Sequence, residues 1–301
     1  MKTYKELYEI IGSVPPAKIN SHVHTHLCDG AADMTVANIA EAAEKANLGL
    51  VILVPHFHKQ VQDETKCLYE DTREEILWQL REEIDDYEKK KGRVRVLLST
   101  EADILSVDGT LSLNPSPKTV EALDLITPTL NYHPLLPLEA VVVTGIKTVD
   151  EYHSSGRFDA FANKIGGRQR VLETAYEAMA NAIRQCEYPA MLGHFFCSHT
   201  IPNRTHTWFG ITKEDRDVVW QGIQSVLDAC EATGAMLDLT GIHFTDCTAE
   251  EQRKKDGFLY ELQQAVMAES EQRGIVWCAG SDAHRLIRIP NVDIYRELYG
   301  W

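Results

Sequence analysis

The sequence predicts an α/β fold of parallel strands alternating with helices, on three observations. Seven short apolar runs recur along the 301 residues, and amphipathic or charged helix-like segments separate them. Each run also ends at or near an imidazole or a carboxylate. A parallel connection needs a long crossover, so strand, helix, strand repeated this often argues for parallel pairing.

The runs are AKIN at 17–20, LGLVILV at 48–54, RVRVLLS at 93–99, LDLITPTL at 123–130, PAMLG at 189–193, AMLDL at 235–239 and IVWCAG at 275–280. Helices are expected near 35–46, 66–91, 168–187, 213–233 and 249–273. Thr35, Thr212 and Thr248 stand near their starts, and Gly274 stands at a stop. After the third strand, DILSVDGTLSLNPSPKTVEA has room for a small hairpin and a short helix at most. The segment 134–167 is a longer insertion, and long loops in compact domains tend to be functional. No Gly/Ser linker, low-complexity block or internal repeat interrupts the pattern, so 1–301 is read as a single domain.

Composition narrows the partners. Thirty basic against 45 acidic side chains leave a formal charge of -15, which repels a phosphate backbone and excludes nucleic acid as an expected partner. No stretch approaches the roughly 20 apolar residues that span a bilayer, so no membrane partner is expected. Cysteines 28, 67, 186, 197, 230, 247 and 278 are scattered without a C-x-x-C pair, which points to a reducing compartment. The N-terminus has no continuous apolar segment followed by a small-residue cleavage site. A cytoplasmic protein is expected.

The strand ends carry the chemistry. The first run leads into His22 and His24, the second into His56 and His58, the third into Glu101, and the fourth into His133. The fifth leads into His194, the sixth contains Asp238, and the seventh leads into Asp282 and His284. In a parallel barrel those ends converge on one face, where barrel enzymes place their active sites. Imidazole nitrogen with a few carboxylate oxygens, and no thiolate pattern, suits Zn, Mn or Fe. In an extended segment His22 and His24 face the same way while Val23 faces the other. Six histidines and two acids are too many for one tetrahedral ion, so two or three divalent ions about 3.5 to 4 Å apart are expected, with Glu101 able to bridge. Asp238 suits either coordination or the orientation of a ligand from behind. His26, His58, His153, His199, His206 and His243 have no such positional argument.

SHVHTHLCDG, VPHFH, STEADIL, LNYH, MLGH and GSDAH, in this order, resemble the metal-binding motifs of the polymerase and histidinol phosphatase (PHP) family, and they span nearly the whole chain. SHVHTHLC and GTLSL lean toward the histidinol-phosphatase-like branch. The resemblance implies a distorted (β/α)7, TIM-like barrel with a two- or three-metal centre that hydrolyses phosphate esters. Motif by motif it implies His22, His24, His56, Glu101, His133, His194, Asp282 and His284 as ligands. Three positions depart from the family pattern. Asn20 and Pro55 stand where Asp is usual, removing carboxylates that would back the ligands, and Gly30 stands where the histidinol phosphatase branch has a third-metal His. Asp29 is the nearest carboxylate able to take over that role, and an Asp-Gly pair also commonly shapes a turn.

The expected function is hydrolysis of a small phosphomonoester, histidinol phosphate or another phosphorylated metabolite, by a metal-bridging hydroxide. Arg168, Arg170, Arg204 and Arg285 are candidates to grip the phosphate, and His199 or His206 to protonate the leaving oxygen. The alternatives are a metal-dependent amide or lactone hydrolase, since the same nucleophile can attack carbonyl carbon, and a non-catalytic PHP-like module.

Overall fold

Strand β1 (Ile19–Val23) pairs in parallel with β2 (Leu50–Leu53), which pairs with β4 (Arg95–Leu98). Strand β3 (His56–Phe57) pairs in parallel with β5 (Glu101–Asp103), which pairs with β6 (Thr127–Thr129). Strand β7 (Met191–Leu192) pairs with β8 (Met236–Asp238), and β8 with β9 (Trp277–Cys278), again in parallel. These pairings come from a computed structural model that describes residues 1–57, 74–130, 135, 162–195, 213–240 and 257–292.

Three small parallel sheets thus stand where the sequence predicts one continuous set of strands. The run at 48–54 continues past Pro55, which has no N–H for the ladder, into β3; the run at 93–99 breaks before β5. Single bonds and bridges join the sheets. Asp124 N–H donates to Leu98 O (2.7 Å) and Met191 N–H to Ile126 O (2.9 Å). Ser21 N–H donates to Ala279 O (3.0 Å), and Val23 bridges Ala283 in parallel.

Side chains alternate as pleated strands require. One buried cluster gathers Ile19, Leu50, Ile52, Val54, Leu97, Leu125, Met191, Met236 and Cys278, at least one residue from each of the seven runs. Their neighbours Val51, Leu53, Val96 and Leu98 face the opposite way, into a cluster with helices α2 (Val36–Lys45) and α3 (Glu74–Lys89). Leu192, Leu237 and Trp277 pack against α5 (Arg168–Gln185), α6 (Arg216–Thr233) and α7 (Gly257–Arg273).

The inner cluster is closed at the strand N-terminal ends by helix α1 (Tyr4–Gly12), which inserts Leu7, Ile10 and Ile11. A capping box starts this helix: Glu6 N–H donates to Thr3 Oγ1, and Thr3 N–H to Glu6 Oε2. Tyr8 Oη donates to Gly234 O (2.6 Å), and Ala190 N–H to Tyr4 Oη (3.0 Å). Helix α1 was not among the expected helices, although the sequence carries its T-x-x-E box at Thr3–Glu6.

The other helices lie where periodicity puts them. Thr35 caps α2 through its side chain, and Gly274 ends α7 with φ 70°. Ile104 bridges Leu111 antiparallel, ahead of the short helix α4 (Pro117–Ala122), as the segment after the third strand predicted. Thr212, Thr248 and most of the 134–167 insertion lie outside the described residues. Among the described residues no helix is long and apolar enough to cross a membrane.

Candidate metal centre

Strict alternation from Ile19 would turn His22 away from the inner face. A register shift between Asn20 and Val23 resets the phase, so that Ser21 and His22 both reach Asp238 while Val23 packs outward. His24 then falls beside His22, ring centroids 5.3 Å apart. Gly280 lets the chain pass close against His22 and Thr240: a Cβ there would lie 2.1 Å from Thr240 Oγ1 and 2.7 Å from His22 Cβ. Gly280→Ala should cost about 1–3 kcal/mol through overpacking and displace His22. Urea unfolding with a metal count checks this, and wild-type values in both would contradict it.

Strand pairing sets the next two side chains. His56 and Glu101 are direct partners in the β3–β5 register, with His56 Nδ1 3.3 Å from Glu101 Oε2. Glu101 Oε1 lies 2.8 Å from His194 Nε2, and Oε2 lies 3.4 and 3.6 Å from Nε2 of His22 and His24. One carboxylate therefore faces four imidazoles. His194 and Asp282 both have left-handed backbones, φ 28° and 48°, a conformation that costs about 1–3 kcal/mol in a non-glycine residue. That conformation lets residues just past β7 and β9 turn inward: Asp282 Oδ1 lies 3.0 Å from His24 Nε2.

Asp29 completes the cluster. Its oxygens lie 2.9 Å from His24 Nδ1, 3.2 Å from His56 Nε2 and 2.8 Å from His284 Nε2. A turn carries it there, with Cys28 N–H and Gly30 N–H both donating to Thr25 O. A Cβ on Gly30 would sit 2.6 Å from that oxygen, so this position admits no histidine. The turn is closed by the Cys28 and Gly30 N–H groups, and the Asp29 carboxylate faces three imidazoles. His284 stacks on His24 at 4.0 Å and 15°.

The donors fall into three overlapping groups, each with its nitrogen and oxygen atoms within 4.8 Å of one another: His24, Asp29, His56 and His284; His22, His24 and Asp282; His22, Glu101 and His194. Apart from Asp29 and His284, whose side chains are 25% and 30% exposed, these residues are buried. Burial alone would lower the His22 pKa, but the Asp238 and Glu101 carboxylates push it up to about 9. His24 is raised well above its ordinary value, against burial, by Asp29 and Asp282. Burial would raise Asp29 and Glu101, but imidazoles hold both far below the carboxylate range: His24 for Asp29, His56 and His194 for Glu101. A site that favours protons on imidazole this strongly favours cations. Among the described residues, buried His22 Nε2 has no partner within hydrogen-bond geometry, and it faces the Glu101 and Asp282 carboxylates as a ligand atom would. These nitrogen and oxygen donors, with no thiolate in any group, fit Zn, Mn or Fe.

The departures from the family pattern have local substitutes. Asn20 donates to Ser281 Oγ and Ile289 O and accepts from Ser281 N–H and His22 N–H, whereas a carboxylate could not donate. The carboxylate behind His22 is instead Asp238, 2.8 Å from Nδ1. Pro55 O accepts from Glu101 N–H and Thr100 Oγ1, fixing the start of β5.

The phosphate-gripping candidates are placed less centrally. Arg168 pairs with Asp215 through two bonds of 3.1 and 2.7 Å, and Arg170 pairs along its own helix with Glu173 and Glu177. Arg285 is exposed, one residue beyond His284. His133, His199, Arg204 and His206 lie outside the described residues. Nothing in the sequence signals the packing role of Gly280, whereas the D-x-T spacing of Asp238 and Thr240 is that of an Asx turn.

Among solved structures, the chain is similar in fold to histidinol phosphate phosphatase HisK from Lactococcus lactis subsp. lactis Il1403, which is complexed with Zn, L-histidinol and phosphate. That likeness has a TM-score of 0.55 at 10% identity and covers 94% of this chain and 93% of the other. A Listeria monocytogenes protein assigned as histidinol phosphatase HisK matches with a TM-score of 0.52 at 13% identity, over 90% of this chain and 97% of the other. No family model and no curated protein sequence matches the chain.

Proposed function

We propose that the chain is a metal-dependent phosphoesterase acting on a small phosphomonoester of the histidinol phosphate kind, built as one distorted (β/α)7 barrel with an insertion at 134–167 and working in the cytoplasm. The observation that carries the reading is the convergence of three donor groups at the strand ends. The barrel is supported by the single inner cluster drawn from all seven runs and by the bonds that join the three sheets, β9 to β1 included. The phosphate ester is supported by the fold likeness to an enzyme holding phosphate and L-histidinol.

Two or three divalent ions would be held by His22, His24, Asp29, His56, Glu101, His194, Asp282 and His284, with His133 completing the set. When bound, such ions acidify water and neutralise phosphoryl oxygens. The chain's own residues do the rest. Asp238 holds the His22 ring through Nδ1 and the His194 backbone through its N–H, and burial of the inner donors excludes bulk water from their side of the substrate. Arg285, exposed one residue beyond His284, would supply positive charge to the phosphate, with Arg204 a further candidate; Arg168 is engaged by Asp215 and Arg170 by Glu173 and Glu177. His199 or His206 delivers the proton to the leaving oxygen.

Phosphate release from a panel of small monoesters, L-histidinol phosphate among them, by protein loaded with Zn, Mn or Fe tests the proposal. Turnover of at least one monoester, abolished by a chelator, is expected. Amide or lactone turnover with every monoester untouched would overturn it.

A further inference from the structure

We propose that Asp238 is a positioning residue that selects the ring tautomer of His22 and fixes the backbone of His194, so that two ligands 172 positions apart are presented together. This rests on the metal-centre reading above. Asp238 is wholly buried, at 0% exposure. Its Oδ1 accepts from Ser21 Oγ (2.9 Å), Thr240 N–H (2.9 Å) and Thr240 Oγ1 (2.5 Å). Its Oδ2 accepts from His22 Nδ1 (2.8 Å) and His194 N–H (3.0 Å).

An ionised carboxylate has only acceptor sites, so all five partners donate. Each oxygen already accepts from a backbone N–H that can only donate, Thr240 N–H on Oδ1 and His194 N–H on Oδ2. His22 therefore carries its proton on Nδ1 when neutral, which leaves the Nε2 lone pair toward Glu101 and Asp282. A ring with the opposite tautomer would present a proton to the cation. At His194 the bond clamps the N–H of a residue whose φ is 28°, and Phe195 N–H adds a second bond to Asp238 O (2.9 Å). Both bonds hold the turn that aims His194 Nε2 at Glu101 Oε1. The family resemblance did not supply this residue, and none of the three donor groups contains it.

Asn at this position keeps the volume and loses the charge. Its single oxygen can serve the Ser21 and Thr240 donors or the His22 and His194 donors, and its NH2 then confronts the other set. Asp238→Asn should lower Zn affinity about 10–100-fold, the cost usual for removing the group behind a metal-bound imidazole, and should alter the visible spectrum of the Co(II)-loaded protein. Ser21→Ala removes one donor from Oδ1 and leaves Oδ2 untouched, so its Zn affinity should stay within about threefold. Equal loss in both variants would make Asp238 a packing group and overturn the proposal, as would a folded Asp238→Asn with wild-type affinity and spectrum. If Asp238→Asn does not fold, ring nitrogen NMR of Zn-loaded wild type decides: a proton on His22 Nδ1 with Nε2 on the metal is expected, and the reverse would overturn it. Failure of wild type to bind Zn, Co or Mn at all would instead refute the metal-centre reading.

Discussion

Replacing Glu101 with Gln will lower metal content and phosphate release together, the rate by more than about a hundredfold. Glu101 is 1% exposed and faces His22, His24, His56 and His194, more imidazoles than Asp29 or Asp282 does. Gln keeps the shape, but it removes the negative charge that offsets cations in a buried space and turns one ligand oxygen into an NH2 that repels them. Removing a charge-compensating partner from a buried cluster also exposes the imidazoles to one another, so the metal-free variant should be less stable as well. Metal counting, phosphate release and urea unfolding on one preparation check all three effects. A variant with full metal content and full rate would show that Glu101 is a structural carboxylate.

The second large effect is on stability against pH in metal-free protein. His22 has a folded pKa of about 9 against an ordinary value of 6.5. A raised pKa means that the folded state holds its proton more tightly, so the contribution is complete below pH 6.5 and is lost as pH rises through 9. The shift corresponds to roughly 3 kcal/mol at most. Urea unfolding of chelated protein should therefore show stability falling across that alkaline window. Added Zn should abolish the fall, because the ion replaces the proton between the same carboxylates and its binding strengthens as protons leave. A flat profile in chelated protein would mean that Asp238 and Glu101 do not hold a charged His22.

The sequence made the donor set legible because strands have a period of two and parallel strands end on one face. His22 and His24, Glu101, His194, Asp282 and His284 could each be named from the run that precedes it. The geometry that unites them was less legible, because it comes from exceptions to that period. The irregularity after Asn20 that turns His22 inward, and the left-handed turns at His194 and Asp282, depend on tertiary hydrogen bonds to Ser281, Ala283 and Asp238. Neither a local propensity nor a motif encodes those bonds. Asn20 was read as a lost carboxylate, yet its amide clasps the strand to the 281–289 segment while Asp238 backs His22 from across the inner face. The breaks after β2 and β4 were hidden for a related reason: LGLVILV and RVRVLLS look continuous, and the interruption comes from Pro55 and from bonds made by Thr100 and Glu101 to its carbonyl. Helix α1 was legible only through its cap signal at Thr3 and Glu6, because its nine residues are too short for apolar periodicity to stand out.

The number of divalent ions retained per chain after metal loading and gel filtration tests the central claim most directly. Two or three Zn or Mn ions per chain are expected, with fewer in Glu101→Gln; fewer than one ion per chain at saturating metal would contradict a metal centre at the strand ends.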